Sequence, residues 1–168
     1  RFLERKLRLK VNAKKSGVDR PQKRKFLSFS FYWRQGRALI RVADEAKDRC
    51  WERLRQLTRR GRSGLMVEVI RAINEYTRGW MEYFRLSDTD RVFQGLDKWL
   101  RRRLRQMLWK RWKRGRTRYR KLIELGVSPK LAALGAGGSS PWRMAATPVV
   151  NMALSNAYWE REGLINIT

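Results

Sequence analysis

Thirteen of the 24 residues from Lys98 to Lys121 are Lys or Arg, and none is acidic. The chemistry open to such a run is electrostatic. Cationic side chains neutralise phosphates and release their counterions, which drives binding that does not depend on base sequence. Trp109 and Tyr119 stand among the cations, and aromatic rings of this kind stack on bases. The expected nucleic-acid-contacting set is therefore Lys98, Arg101, Arg102, Arg105, Trp109, Lys110, Lys113, Arg114, Arg116, Arg118, Tyr119, Arg120 and Lys121. The run supplies half of a net charge of +26. Self-repulsion on that scale opposes a compact fold unless a polyanion relieves it. Nucleic acid is the first candidate and an anionic membrane the second. Arginine outnumbers lysine 29 to 12. A guanidinium forms two parallel hydrogen bonds to phosphate and stacks on bases, so the bias suits close contact with shaped RNA more than general adhesion.

Other chemistries are poorly supplied. The chain has no histidine, which removes Ser-His-Asp and Cys-His catalysis and most zinc sites. The single Cys50 falls in helical step with Ala43, Ala46, Leu54 and Leu57 and reads as a buried structural thiol. Asp88 and Asp90 form a D-x-D, but beside Ser87 and Thr89 and ahead of a helical pattern they read as caps. No second carboxylate pair completes a two-metal site. "GAGG" lacks the strand and lysine of a phosphate-binding loop. Lys14-Lys15-Ser16 reads as a solvated basic loop.

These residues must be positioned by a small α+β segment followed by helices. "RFLERKLRLKV" combines a short amphipathic start with an extended stretch. Leu27, Phe29, Phe31 and Trp33 alternate with Phe26, Ser28, Ser30 and Tyr32, which predicts one strand. Gln35-Gly36 predicts a turn, and "RALIRV" a partner strand. From Asp44 the period becomes helical. Ala46, Cys50, Leu54 and Leu57 mark one helix. Met66, Val69, Ile70, Ile73, Thr77, Trp80 and Phe84 mark a second. A third carries a stripe of Leu96, Leu100, Leu104, Leu108 and Trp112, with Lys98, Arg101, Arg102 and Arg105 expected to face outward, and Gly115 is expected to end it. A shorter helix is predicted over 119–125, a turn or two at "SPKLAAL", a flexible loop over 135–141, and a last helix from Pro148 to about Arg161. An aromatic share of 11% argues for a core beneath the charged surface. No apolar run approaches the roughly 20 residues of a membrane span, so no membrane partner is expected. Because the chain starts at Arg1 without Met, it is expected to be part of a longer polypeptide.

Several segments together resemble the C-terminal part of bacterial group II intron reverse transcriptases, the intron-encoded maturases. "LRLKVNAKKSGVDRP" with "KRKFLSFSF" is similar to the last conserved reverse-transcriptase blocks, and "INEYTRGWMEYFRL" resembles the thumb signature. "LDKWLRRRLRQMLWKRWKRGRTRYRKLIELG" resembles the maturase-specific segment, and "WRMAATPVVNMALSNAYWEREGL" the end of members that carry no endonuclease.

The resemblance implies a mainly α fold: a palm remnant with a β-hairpin over 1–42, then a helical-bundle thumb or maturase domain over 43–168. It implies that Lys15 approaches the incoming nucleotide and assists departure of pyrophosphate as an acid or a charge. It implies a primer grip at Phe26, Leu27, Ser28 and Phe29, where the family has Phe-Leu-Gly-Phe and this chain has serine for glycine. The family's Tyr-Ala-Asp-Asp motif is absent from this sequence, so the chain is expected not to polymerise alone. Mg²⁺ is implied for the parent polymerase and for the intron RNA, with no cofactor bound by this chain. The implied partners are group II intron RNA, an RNA template–DNA primer duplex, target DNA and the rest of the parent polypeptide, in a bacterial cytoplasm. The rival readings are a domesticated reverse transcriptase that serves no intron, and a non-enzymatic structural RNA-binding protein of ribosomal type. A DNA-binding module is disfavoured because no helix-turn-helix is evident.

Overall fold

The structure, a computed structural model, describes residues 5–8, 12, 17, 19–59, 61, 64–88 and 90–167, with Asp90 described in its backbone only. Lys15 and residues 9–11 of the "LRLKV" stretch lie outside the described residues. A 3-10 turn at Pro21–Lys23 leads into three strands, β1 (Lys25–Phe26), β2 (Phe29–Arg34) and β3 (Arg37–Val42), in an antiparallel sheet of order β1-β2-β3. Gln35 and Gly36 join β2 to β3 with φ of 51° and 74°. Both lie in the left-handed region that a two-residue hairpin turn requires.

The single strand expected through residues 26–33 is broken. Leu27 and Ser28 also have positive φ, 47° and 66°, and Phe26 pairs back onto Phe29. Alternation continues on either side, but the chain reverses between. Neither residue favours this conformation, which costs an L-residue roughly 1–2 kcal/mol. Tertiary hydrogen bonds hold it. The Tyr83 hydroxyl donates to the Leu27 carbonyl (2.9 Å), the Ala43 N–H to the Ser28 carbonyl (2.8 Å), and Arg49 to the Ser28 hydroxyl (3.2 Å).

Eight helices follow among the described residues: α1 (Asp44–Leu57), α2 (Met66–Phe84), α3 (Asp90–Arg111), α4 (Gly115–Glu124), α5 (Pro129–Ala136), α6 (Pro141–Met144), α7 (Pro148–Ala153) and α8 (Asn156–Arg161). The protein is thus mainly α with a small antiparallel sheet at the start. The predicted stripes are the buried ones: Ala46, Cys50, Leu54 and Leu57 on α1; Val69, Ile70, Ile73, Thr77 and Phe84 on α2; Leu96, Leu100, Leu104, Leu108 and Trp112 along α3 and its end. Cys50 is in the core, where burial pushes its thiol up to about 11, so it is protonated and unreactive at neutral pH.

The boundaries differ where glycine, serine or proline meets tertiary packing. Gly115 does not end α3; it opens α4, and α3 stops at Arg111. The loop expected over 135–141 shrinks, because α5 runs through Ala136 and α6 starts at Pro141. The single last helix is two, since the chain leaves helical geometry at Leu154 and Ser155 caps α8 by accepting from the Tyr158 N–H. Asp88 is not a helix cap. Its N–H donates to the Ile40 carbonyl (2.8 Å) and its carboxylate accepts from the Ile40 N–H (3.0 Å), clipping the α2–α3 turn onto the open edge of β3. A second apolar cluster of Val42, Ala46 and Phe84, with Phe29, Trp80 and Phe93 against it, completes that junction.

Leu104 is fully buried, and Leu104→Ala is expected to lower stability by about 2–5 kcal/mol in urea unfolding. Replacing Leu27-Ser28 by Asn-Gly is expected to raise stability by about 1 kcal/mol in the same assay, since both new residues accept positive φ. The folded Cys50 thiol keeps its proton to about 11 against an ordinary 9.0. Its contribution to stability is therefore complete below pH 9 and lost as pH rises towards 11, and Cys50→Ala should flatten that alkaline limb of a stability–pH curve.

Candidate nucleic-acid interface

α3 is buried almost all round its second half. Leu104, Gln106, Met107, Leu108 and Trp109 all lie in the interior, so no broad solvent face remains for the arginines expected there. A helix with such surroundings ordinarily carries apolar residues throughout. This one instead sends its long side chains to polar groups on neighbouring elements. Arg101, 3% exposed, makes an ion pair with Asp97 (2.7 Å), lies 4.0 Å from Glu160, and donates to the Asn156 carbonyl (3.3 Å). Arg103 donates to the carbonyl of Thr58 (3.1 Å), the residue that closes α1. Arg105 donates to the carbonyl of Leu154 (3.0 Å), which closes α7. Burial lowers the pKa of the Arg105 guanidinium, and Arg101 beside it adds to the effect.

Arg118 on α4 follows the same pattern. It is buried and donates to the carbonyls of Trp112 (2.8 Å), Gly138 (2.9 Å) and Lys113 (3.4 Å). Its guanidinium also lies 5.2 Å from the centre of the Trp109 ring. Trp109 has no exposed surface, and its indole N–H donates to the same Gly138 carbonyl (2.9 Å).

The residues expected to touch nucleic acid therefore divide. Arg101, Trp109 and Arg118 are corrected: they are interior residues, and Trp109 offers no face on which a base could stack. Arg102 and Arg105 are half-buried and engaged, Arg102 beneath the Trp142 ring at 3.9 Å from its centre. Lys121 is half-buried and pairs with Glu124 (2.6 Å), which Arg120 also approaches (3.6 Å). These two cations, Lys121 foremost, hold the Glu124 carboxyl below its usual pKa. Lys98, Lys110, Lys113, Arg114 and Arg116 are exposed and form no ion pair with any described residue. Four of the five gather where α3 gives way to α4. On α4, Arg116, Tyr119 and Arg120 share a face by their i, i+3, i+4 spacing, with Tyr119 38% exposed.

The primer-grip residues expected from sequence form the turn already described. Phe26 and Leu27 are 67% and 65% exposed, Ser28 is half-buried, and Phe29 stacks on Tyr83 (5.7 Å) and edges onto Phe84 (5.2 Å). Three exposed aromatics fall outside the expected set, Trp33, Tyr83 and Trp142; the last, 52% exposed, comes directly after the segment expected to be a flexible loop. The proline before it, at a first helical position, is the signal in the sequence that could have found it.

Trp109→Ala is expected to cost about 3–5 kcal/mol of stability, because it empties a core site. Arg118→Ala should also lower the melting temperature, by the loss of charge-assisted bonds worth about 1.5–3 kcal/mol each. Lys113→Ala and Arg116→Ala should leave thermal stability undiminished or slightly raised, since their side chains are exposed, make no ion pairs with described residues and stand at a positive helix start.

No curated protein matches the chain. Residues 47–124 match the family described as group II intron, maturase-specific domain, a span that runs from the first turn of α1 to the end of α4 and holds the central helix, its internal arginines and the exposed ridge. The match covers just under half of the chain and supports a group II intron maturase role in splicing.

Proposed function

We propose that this chain holds group II intron RNA in its splicing-competent fold, for splicing and reverse splicing, through the cationic ridge at the α3–α4 junction. The observation that carries the reading is the crowding of Lys110, Lys113, Arg114 and Arg116, all exposed and without ion pairs to described residues, at the α3–α4 junction, where Lys113, Arg114 and Arg116 surround the start of α4. A helix start carries positive partial charge, so cations there add to the repulsion. The first turn of α4 holds no acid to offset it. RNA phosphates supply the missing anion. Tyr119, on the same face as Arg116 and Arg120, is open to stack on an unpaired base. In this reading the protein cuts nothing; the RNA, with its own Mg²⁺, performs the transesterification. No three of His, Cys, Asp and Glu stand together among the described residues to hold a metal, and no step is assigned to one here.

We further infer that the strands are the end of a reverse-transcriptase palm and the helices from Asp44 its thumb, with the Phe26–Phe29 turn gripping a primer on an RNA template. Support comes from the turn itself. Its apolar residues are exposed and its strained backbone is held by α1 and α2, the kind of cost that persists at working sites. Lys15 would serve the incoming nucleotide in that parent enzyme, whose place would be the bacterial cytoplasm.

The test is RNA binding and splicing with a group II intron transcript across a range of salt. Replacing Lys110, Lys113, Arg114 and Arg116 by Ala is expected to weaken binding and reduce the slope of log affinity against log salt by about 0.7–0.9 for each phosphate no longer neutralised. Splicing stimulated by the protein should fall with it. An unchanged slope in a folded variant would refute the ridge as the RNA-binding surface.

A further inference from the structure

Trp142 is the one large aromatic of the segment between α5 and α7, and it lies outside the stretch that matches the family. Its setting is rigid. The preceding loop is fixed at the Gly138 carbonyl, which accepts from both Trp109 and Arg118 (2.9 Å each). A side chain at Gly138 would collide with the Met144 sulfur, so the loop is pressed against α6. Met144 in turn packs on the core, and Ala145 is buried. The indole is thus held in place, yet half of its surface is open.

Arg102 of α3 lies over the ring, its guanidinium carbon 3.9 Å from the ring centre, the shortest of the described cation–ring distances. One face of the indole is therefore taken by a cation, while half of the residue's surface stays open. Lys98, one helical turn before Arg102, and Arg143, next to Trp142, are both exposed. No carboxylate occurs in the sequence from Leu125 to Trp159. An aromatic plane backed by a cation, flanked by free cations and remote from acids in its own segment, has the chemistry of a stacking platform for a base whose phosphates lie to either side.

We propose that Trp142, braced by Arg102, stacks one unpaired RNA base at a site separate from the α3–α4 ridge. The inference rests on the RNA-binding reading above and deepens it: the ridge takes phosphates from paired or unpaired RNA, whereas this platform takes only a base free of its own duplex. Bases inside a helix have both faces occupied and cannot use it.

The experiment compares wild type, Trp142→Leu and Trp142→Tyr in binding an oligoadenylate of about 20 nucleotides and a blunt RNA duplex of similar length, at several salt concentrations. Trp142→Leu should bind the oligoadenylate roughly 5- to 150-fold more weakly, as expected for the loss of one stacked base. Its salt slope should be unchanged because the cations that meet phosphate are untouched, and its affinity for the duplex should match wild type. Trp142→Tyr should recover most of the loss. A 2-aminopurine in the oligonucleotide should be quenched by wild type and by Trp142→Tyr, and far less by Trp142→Leu. Equal losses on both RNAs, no loss on the oligoadenylate, or failure of Tyr to exceed Leu would each overturn the platform while leaving the ridge standing. Failure of wild type to bind either RNA would overturn both.

Discussion

Guanidinium groups bonded to backbone carbonyls at helix ends hold this fold together. Arg103 reaches the end of α1, Arg105 the end of α7, and Arg118 the end of α3 together with the Gly138 loop. The last carbonyls of a helix lack partners within it and carry partial negative charge, so a planar, permanently charged donor satisfies them on both counts. Arginine does this where lysine would not, because its donors form a fixed fork and its charge is easier to desolvate. The central helix can therefore be buried on nearly all sides while carrying four arginines in its middle, at positions 101, 102, 103 and 105.

That arrangement changes the meaning of the charge. A count of Lys and Arg treats every cation as available to a partner, but several of the cations between Lys98 and Lys121 are committed to the architecture. Those that remain free are spatially sorted. They gather at the α3–α4 junction, where a helix start makes their mutual repulsion worse, and beside Trp142, where α6 lies on α3. Hydrogen bonds to carbonyls and the ion pair with Asp97 let the bundle fold around its internal arginines, and the concentration of the rest on limited surface leaves an anion something to relieve.

The hairpin is attached by a different logic. Its register places the Ile40 backbone where Asp88 can bond to it twice, and its first turn survives in an unfavourable conformation because α1 and α2 supply partners for that turn's carbonyls and hydroxyl. Strand, turn and helix are thus one mechanical unit around Phe29, Val42 and Phe84, and exposed Phe26 and Leu27 are presented from a rigid base.

The sequence by itself determined the mainly helical class, the β2–β3 hairpin, and the inward phase of α1, α2 and α3. Period and turn chemistry are local: Leu96 to Trp112 repeats every four residues whatever surrounds it, and Gln35-Gly36 suits its turn unaided. Only the tertiary structure decided which cations face solvent. Arg101 and Lys98 are alike in a helical projection, yet one finds Asp97, Glu160 and the Asn156 carbonyl and the other finds water, because α8 comes from more than fifty residues away to cover one and not the other. The same holds for Trp109, whose burial depends on the Gly138 loop closing over it, and for Leu27-Ser28, whose turn requires Tyr83 and Ala43. Partners distant in the chain leave no periodic trace at the residue they engage, so packing rather than pattern separated the arginines that build the bundle from the cations left exposed at its surface.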